Sequence, residues 1–410
     1  NLENNNHTAL VDVLENEIAV ILKSSEDLPD SDVITIEAGS TELQKRLDAV
    51  TALYTSGDYS NALKQIEKLI TEYPDEAELH NFQGVNYKRI GESEKAIRSY
   101  KNALNLAPNF IQAHCNLGNI LMITGQQRDA IKSYQTALSI NPEYTEGYFN
   151  LANAYKDREE FEEAIQYYKK AIEIKPDFAE AYNNLGHVLN SLGKRESIIN
   201  YEKAIEIKPD FAEAWWNLSL AQLLHGNYQE GWNNYEWRWQ KDEHQVRNYQ
   251  QPLWEGPLLS NKTLFIYCEQ GFGDAIQFIR YIKNLSKPSG TLIVECHSNL
   301  YRLFSTLPEI DTLVSQGDLL PDFDVHIPLM SLPRIFQTTL ETIPVDTAYL
   351  FHDHSISCPL VIDPEPYNIG IVWAGRPAHH DDKNRSLEVS FFSPLVKLSG
   401  TQFYSLQMGD

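Results

Sequence analysis

Along residues 41–244, hydrophobic and polar positions form pairs of amphipathic helical segments, each pair closed by a proline. Pro74, Pro108, Pro142 and Pro176 stand 34 residues apart, and Pro209 follows 33 later. A fixed period of that length predicts stacked helical hairpins, none of which buries its apolar face without its neighbours. The same chemistry recurs in each unit. A small residue sits where two helices approach closely (Gly84, Gly118, Ala152, Gly186), and a glycine supplies the left-handed turn (Gly57, Gly91, Gly125). Alanine follows that turn at Ala62, Ala96, Ala130 and Ala164, five residues on from each glycine where one is present. Proline caps the start of the next pair. Between Gly193 and Ser197 the spacing is four rather than five, so a one-residue deletion in the inter-helix turn predicts a local irregularity. Residues 1–40 stand apart: Ala9 to Leu22 fits one amphipathic helix, and Ser24 to Ser40 is an acidic, serine-rich linker.

From Lys262 onward the pattern becomes strand, turn, helix. TLFIYC is a buried strand, Ala275 to Asn284 a helix, TLIVEC a second strand, Ser298 to Thr306 a helix, and FDVHIPL a third strand followed by a short helix at Ser331 to Thr339. Such alternation predicts a parallel sheet of Rossmann-like topology over 245–351. His352 to Tyr367, with three prolines, reads as a linker. Residues 368–410 open with NIGIVWAG, a buried strand running into a loop, and form the incomplete start of a second such domain. The predicted fold class is α plus α/β: an N-terminal α-solenoid, then a Rossmann-like parallel-sheet domain and the beginning of another. Six of the seven tryptophans (Trp215, Trp216, Trp232, Trp237, Trp239, Trp254) gather where the two patterns meet. They are expected to cap the solenoid and fasten it to the next domain, a sugar-stacking platform being the alternative.

The segments NLGNILMITGQQRDAIKSYQTALSINPE and NLANAYKDREEFEEAIQYYKKAIEIKPD resemble the tetratricopeptide repeat at nearly every defining position, with about six repeats over 41–244. The resemblance implies a solenoid that holds another polypeptide. Asn116, Asn150, Asn184 and Asn217 occupy one slot, eight residues past each proline, and Phe82 breaks the series in the earliest matching repeat. Carboxamides donate and accept, so a line of them suits the peptide groups of an extended chain. These positions resemble the asparagine ladder of solenoids of the protein O-GlcNAc transferase type.

In EQGFGDAIQFIR, Gly271 and Gly273 permit close backbone approach and the following helix N-terminus favours an anion. Ile276 stands where a dinucleotide fingerprint wants a third glycine. LWEG, KTLFIYCEQGFGDAIQFIRYI, FDVHIPLMSLP, IP...YL and IGIVWAGRPAHHDDKNRS together resemble the glycosyltransferase region found behind tetratricopeptide repeats in bacterial proteins, related to the heptosyltransferases. That resemblance covers about residues 230–410 and implies two facing Rossmann halves (the GT-B arrangement) and a nucleotide sugar as co-substrate, with no other cofactor. It also assigns the acidic residue of Gly273-Asp274 as general base, and an inverting transfer does need a carboxylate to take the acceptor proton. A carboxylate there also complements the helix dipole. Arg376, Lys383 and Arg385 are expected at the donor diphosphate. His379, His380, Asp381 and Asp382 adjoin them, but neighbours on one loop rarely converge on an ion, so no metal site is expected. The family's C-terminal Asp-Thr...His segment does not occur before Asp410. Catalysis is therefore expected of a full-length parent rather than of this chain alone, and a non-catalytic scaffold is the alternative.

Composition narrows the partners. With 410 residues the chain has room for two or three domains, and 42% hydrophobic with 22% charged residues is ordinary for a folded protein. A net charge of -23 and an isoelectric point near 4.9 argue against nucleic acid or an anionic membrane as the main partner. Cys115, Cys268, Cys296 and Cys358 are far apart, form no C-x-x-C pair and read as small buried hydrophobes in a reducing compartment. No apolar run is long enough for a membrane span, so a cytoplasmic location is expected, although the chain begins with Asn1 rather than methionine.

Overall fold

The computed structural model describes residues 41–241, 247–256, 259, 261–285, 290–344, 349–350, 367–372, 374, 386–397 and 399–405. The expected helix at Ala9 to Leu22, the linker at Ser24 to Ser40, His352 to Pro366 of the second linker, and the cluster Arg376, His379, His380, Asp381, Asp382, Lys383 and Arg385 lie outside them. The chain divides into two compact units, one built from residues up to 292 together with 321–345, the other from 293–320 together with residues from 346 onward.

The first unit begins with six helix pairs among the described residues: α1 (Thr41–Thr55) with α2 (Tyr59–Glu72), α3 (Ala77–Arg89) with α4 (Ser93–Leu106), α5 (Ile111–Ile123) with α6 (Gln127–Ile140), α7 (Thr145–Asp157) with α8 (Phe161–Ile174), α9 (Ala179–Ser191) with α10 (Glu196–Ile207), and α11 (Ala212–Leu224) with α12 (Tyr228–Asn234). The small residues of each first helix do what their size predicts. A Cβ at Gly84 would lie 2.5 Å from the ring of Tyr100, and one at Gly186 would lie 2.8 Å from that of Tyr201. Tyr100, Tyr134, Tyr168 and Tyr201 are fully buried, one on each of α4, α6, α8 and α10, so these four hairpins close around an aromatic ring, which at Gly84, Gly118 and Gly186 rests on backbone. At Ala152 the slot carries a methyl group, and there the Tyr168 hydroxyl donates to Asn153 Oδ1 at 2.5 Å. First helices of successive repeats pack on one another more closely than second helices do, which makes them the inner side of the stack.

The deletion near Gly193 has a local effect. Helix α10 has 12 residues where α2, α4, α6 and α8 each have 14. Ser197 stands in the alanine slot, fully buried, with its hydroxyl lacking a hydrogen-bond partner.

Beyond α12 a 3-10 turn (Tyr235–Trp237) and α13 (Arg238–Lys241) lead to β1 (Thr263–Tyr267). There follow α14 (Phe272–Phe278), β2 (Thr291–Cys296), α15 (Ser298–Phe304), β3 (Thr312–Ser315), β4 (Val325–Pro328) and α16 (Leu332–Ile335). Strand β1 pairs in parallel with β4, from Leu264 opposite Val325 to Tyr267 opposite Pro328. Strand β2 pairs in parallel with β3, from Ile293 opposite Thr312 to Cys296 opposite Ser315. The order is β3-β2-β1-β4, and the boundary between units falls within β2, after Leu292.

Four expectations need correction, the first being the helix expected at Ser331 to Thr339, which is α-helical only over Leu332–Ile335. The helix expected at Ala275 to Asn284 begins at Phe272 and is α-helical only to Phe278, giving way to a 3-10 helix at Ile279–Asn284. Strand β3 is absent from the sequence reading: four residues, only Val314 buried, are too few to show a period. In the second unit β5 (Tyr367–Ile371) pairs in parallel with β6 (Thr401–Ser405) as a two-stranded sheet. NIGIVWAG is not the buried strand its composition predicts, since Ile369 is 36% and Val372 59% exposed. Two strands give a hydrophobic run too little surface to hide against.

Candidate functional site

The asparagine slot lies on the inner helices, and its occupants are mostly spoken for. Asn116 is buried and donates from Nδ2 to Asn81 Oδ1 at 3.0 Å; Asn217 makes the same bond to Asn183 Oδ1 at 3.0 Å. In both cases the acceptor lies one residue before the slot in the preceding repeat, so the rung is a clamp between repeats. Asn150 has no such acceptor, because Cys115 holds that position and is buried. Both its Oδ1 and Nδ2 are buried without a hydrogen-bond partner, at 1% residue exposure. Asn184 meets Phe149 at the equivalent position and donates instead to Asn153 Oδ1 at 3.0 Å. One slot therefore has three local solutions, decided by its neighbour on the previous helix.

Gly271 is the N-cap of α14 and Phe272 to Asp274 form its first turn, with Gly271, Phe272 and Gly273 exposed and Asp274 half-buried. A Cβ on Gly271 would meet only Asp274 Oδ2, at 3.6 Å, and one on Gly273 would meet nothing. The backbone of Gly271 is extended (φ -63°, ψ 173°), a conformation any residue adopts. Protein packing therefore does not require glycine at either place. Arg376, Lys383 and Arg385 fall outside the described residues.

Sequence reasoning missed the joint between the last helices and β1–β4. Arg238 is 2% exposed and gives four hydrogen bonds: Nη1 to Tyr235 O (3.2 Å) and Glu236 Oε1 (2.9 Å), Nη2 to Glu269 Oε1 (3.2 Å) and Ser331 Oγ (2.7 Å). Its guanidinium also lies 4.8 Å from the Tyr235 ring and 4.6 Å from the Trp239 ring. Ser331 Oγ in turn donates to Glu236, and the Met330 N–H donates to Glu269 Oε1 at 3.2 Å. Burial pushes the Glu269 carboxyl up to about 7, against the opposing pull of Arg238. The tryptophans do fasten this joint: Trp215 stacks on Trp237 at 5.2 Å, and Trp232 meets Phe278 of α14 edge-on at 5.8 Å. Only the EWRW run hinted at such a centre, because its other members lie 31 to 95 residues away along the chain.

A stack of helical hairpins whose first helices line the inner side defines a helical-repeat protein. Family models for the TPR repeat match residues 84–123, 118–157 and 152–193, and one for the tetratricopeptide repeat matches 179–211. Residues 84–211 therefore contain tetratricopeptide repeats. Among solved structures it is similar to MamA, with 31% identity over 40% of this chain and 96% of that one (TM-score 0.36). It is also similar to TTC0263, a thermophilic TPR protein in Thermus thermophilus (21% identity, 44% and 98% coverage, TM-score 0.39). A third is YrrB, a TPR protein with an unusual peptide-binding site (20%, 43% and 92%, TM-score 0.36). No curated protein matches the chain.

Proposed function

We propose that the chain is a protein-interaction scaffold that holds an extended polypeptide along the inner helices of its repeats. The observation that carries this is the row of carboxamides on the inner helices, in which Asn184 and Asn217 are half-buried and Asn150 has neither of its hydrogen bonds made. A buried carboxamide with neither hydrogen bond made costs about 1–3 kcal/mol per unsatisfied group. A peptide group supplies both a donor and an acceptor, the complement an amide needs. Asn116 and Asn184 flank it one repeat away on either side and keep carboxamides on the same face. The test is a peptide selected from a random library on the full chain, its affinity measured by fluorescence anisotropy. Asn150→Ala is expected to weaken binding about tenfold, a loss of one good hydrogen-bonding pair. Asn184→Ala is expected to act in the same direction, and unchanged affinity in both variants removes the assignment.

A second function, glycosyl transfer from a nucleotide sugar in a full-length parent, rests on the start of α14. Two glycines that packing does not need leave open backbone beside a half-buried carboxylate, as a phosphate-bearing substrate would require. In it Asp274 takes the acceptor proton, Gly271 and Gly273 admit the substrate, and Arg376, Lys383 and Arg385 meet the diphosphate. Turnover of nucleotide sugars by the parent protein and by its Asp274→Asn variant decides it: full activity in the variant eliminates Asp274 as the base.

A further inference from the structure

The asparagine slot has a companion three residues further along two of the inner helices. Asn119 on α5 and Asn153 on α7 stand at i+3 from Asn116 and Asn150 and share their face of the helix. A buried phenol on the following helix holds each of them. The Tyr134 hydroxyl donates to Asn119 Oδ1 at 2.7 Å, and the Tyr168 hydroxyl donates to Asn153 Oδ1 at 2.5 Å. Burial raises both phenols far above their ordinary pKa, so at neutral pH each keeps its proton and donates. Asn184 Nδ2 adds a second donor to Asn153 Oδ1, at 3.0 Å. The two oxygens are thus occupied, and what each carboxamide has left is its Nδ2. Both side chains are buried, yet Nδ2 of each is not sealed from solvent and has no hydrogen-bond partner among the described residues. Two successive repeats therefore offer the groove a donor whose orientation a phenol has fixed.

Four residues on from Asn153 the same stripe of α7 ends in Asp157. The equivalent place one repeat earlier is Ile123, and one repeat later Ser191, so the carboxylate is a local feature and not part of the repeat. After burial, the charge of Asp157 is a further cause of both phenol shifts, which puts it where the third and fourth helix pairs meet. Its side chain is 49% exposed, yet burial pushes its carboxyl above the ordinary value, outweighing the pull of Lys156. A carboxylate that water reaches but protein crowds on several sides sits in a recess. Lys156 Nζ, at 3.9 Å, is beyond hydrogen-bond reach, so among the described residues Asp157 has no charge-assisted hydrogen bond.

We propose that the groove between the third and fourth helix pairs binds a basic residue of the held polypeptide, its ammonium or guanidinium on Asp157, while main-chain carbonyl oxygens beside it accept from Asn119 and Asn153. Carbonyl oxygens are acceptors only, the complement of the two amides, and a cation is the complement of Asp157. Ile123, 40% exposed, offers an apolar surface next to this contact. The net charge of -23 attracts basic peptides in any register, whereas Asp157 fixes where the basic residue stands. The proposal rests on the peptide-holding reading above and names the ligand of that groove.

The test is selection of peptides from a random-sequence display library, with the full chain and its Asp157→Asn variant as separate baits. Native selection is expected to give a consensus with Lys or Arg fixed at one position, and selection on Asp157→Asn a consensus without it. For the best native peptide, glutamine in place of that basic residue is expected to weaken binding about tenfold, as loss of one charge-assisted hydrogen bond predicts. The glutamine peptide should then bind the native chain and Asp157→Asn equally, the mark of a direct pair. Asn119→Ala is expected to weaken the basic and the glutamine peptides by the same factor, because it removes a main-chain contact. Tyr134 loses its acceptor in that variant, so its melting temperature is measured alongside; Asp157→Asn changes an exposed side chain and is expected to melt as the native chain does. A selection that yields no peptide removes the peptide-holding reading and this proposal with it. Selected peptides without a fixed basic residue, or native affinity of the basic peptide for Asp157→Asn, overturn this proposal alone and leave that reading standing.

Discussion

Glu159 occupies a turn position that Gly57, Gly91, Gly125, Gly193 and Gly226 hold elsewhere, and it adopts the same left-handed backbone, φ 61°. For a residue with a Cβ that conformation costs roughly 1–2 kcal/mol, of which glycine's greater freedom when unfolded returns roughly 0.5–1. Glu159→Gly is therefore expected to stabilise the chain by about 0.5–1 kcal/mol in urea unfolding. A loss of stability would mean that Glu159's own contacts outweigh its backbone strain. Asn150 sets up the opposite bargain. Asn150→Leu removes two orphaned polar atoms from the interior and is expected to raise unfolding stability by about 1–3 kcal/mol. The same change should weaken peptide binding about tenfold, as Asn150→Ala does; a variant that gained stability and bound peptide with unchanged affinity would separate Asn150 from binding. The slot itself was legible in the sequence, because a period exposes any recurring residue. Which rung is unsatisfied was not, since that depends on Asn81, Cys115, Phe149 and Asn183 on the preceding helices.

At the scale of elements, the helical hairpins followed from local rules: glycine where a ring must lie on backbone, alanine at the tight contact, proline at the start of the next pair. The joint did not. Arg238 is held by Glu236, Glu269 and Ser331, with Ser331 93 residues further along the chain, and no local pattern announces such a meeting. Its titration gives a prediction. The Glu269 carboxyl titrates at about 7 in the folded chain and near its ordinary 4.5 when unfolded, so between those values the folded state binds more protons. Stability contributed by the protonated form is thus complete below about 4.5 and is lost as pH rises through about 7, a fall of about 1–3 kcal/mol. Urea midpoints measured from pH 4.5 to 8 should show that slope in the native chain and a flatter one in Glu269→Gln. Identical slopes would show that Arg238 pairing, rather than burial, sets the charge state of Glu269.

For the whole molecule, the excess of 57 acidic over 34 basic side chains governs association. Duplex DNA is expected to show no retardation by the chain at physiological salt, whereas a phosphate-binding protein would retard it and lose affinity steeply as salt rises. Among library peptides, basic ones are expected to be enriched, and their association rates should fall as ionic strength increases. Enrichment of acidic peptides would contradict this. No helix among the described residues is long and apolar enough to cross a membrane. The sequence by itself determined the repeat, its hairpins, the strand–helix alternation that follows and the sign of the charge, because periodicity, turn chemistry and composition act between near neighbours along the chain. Tertiary structure alone decided the short strand β3, the exposure of β5, the unsatisfied Asn150 and the buried joint of Arg238 with Glu236, Glu269 and Ser331. Each depends on residues far apart in sequence meeting in space, and on the number of strands and helices available to cover a surface, which local pattern does not encode.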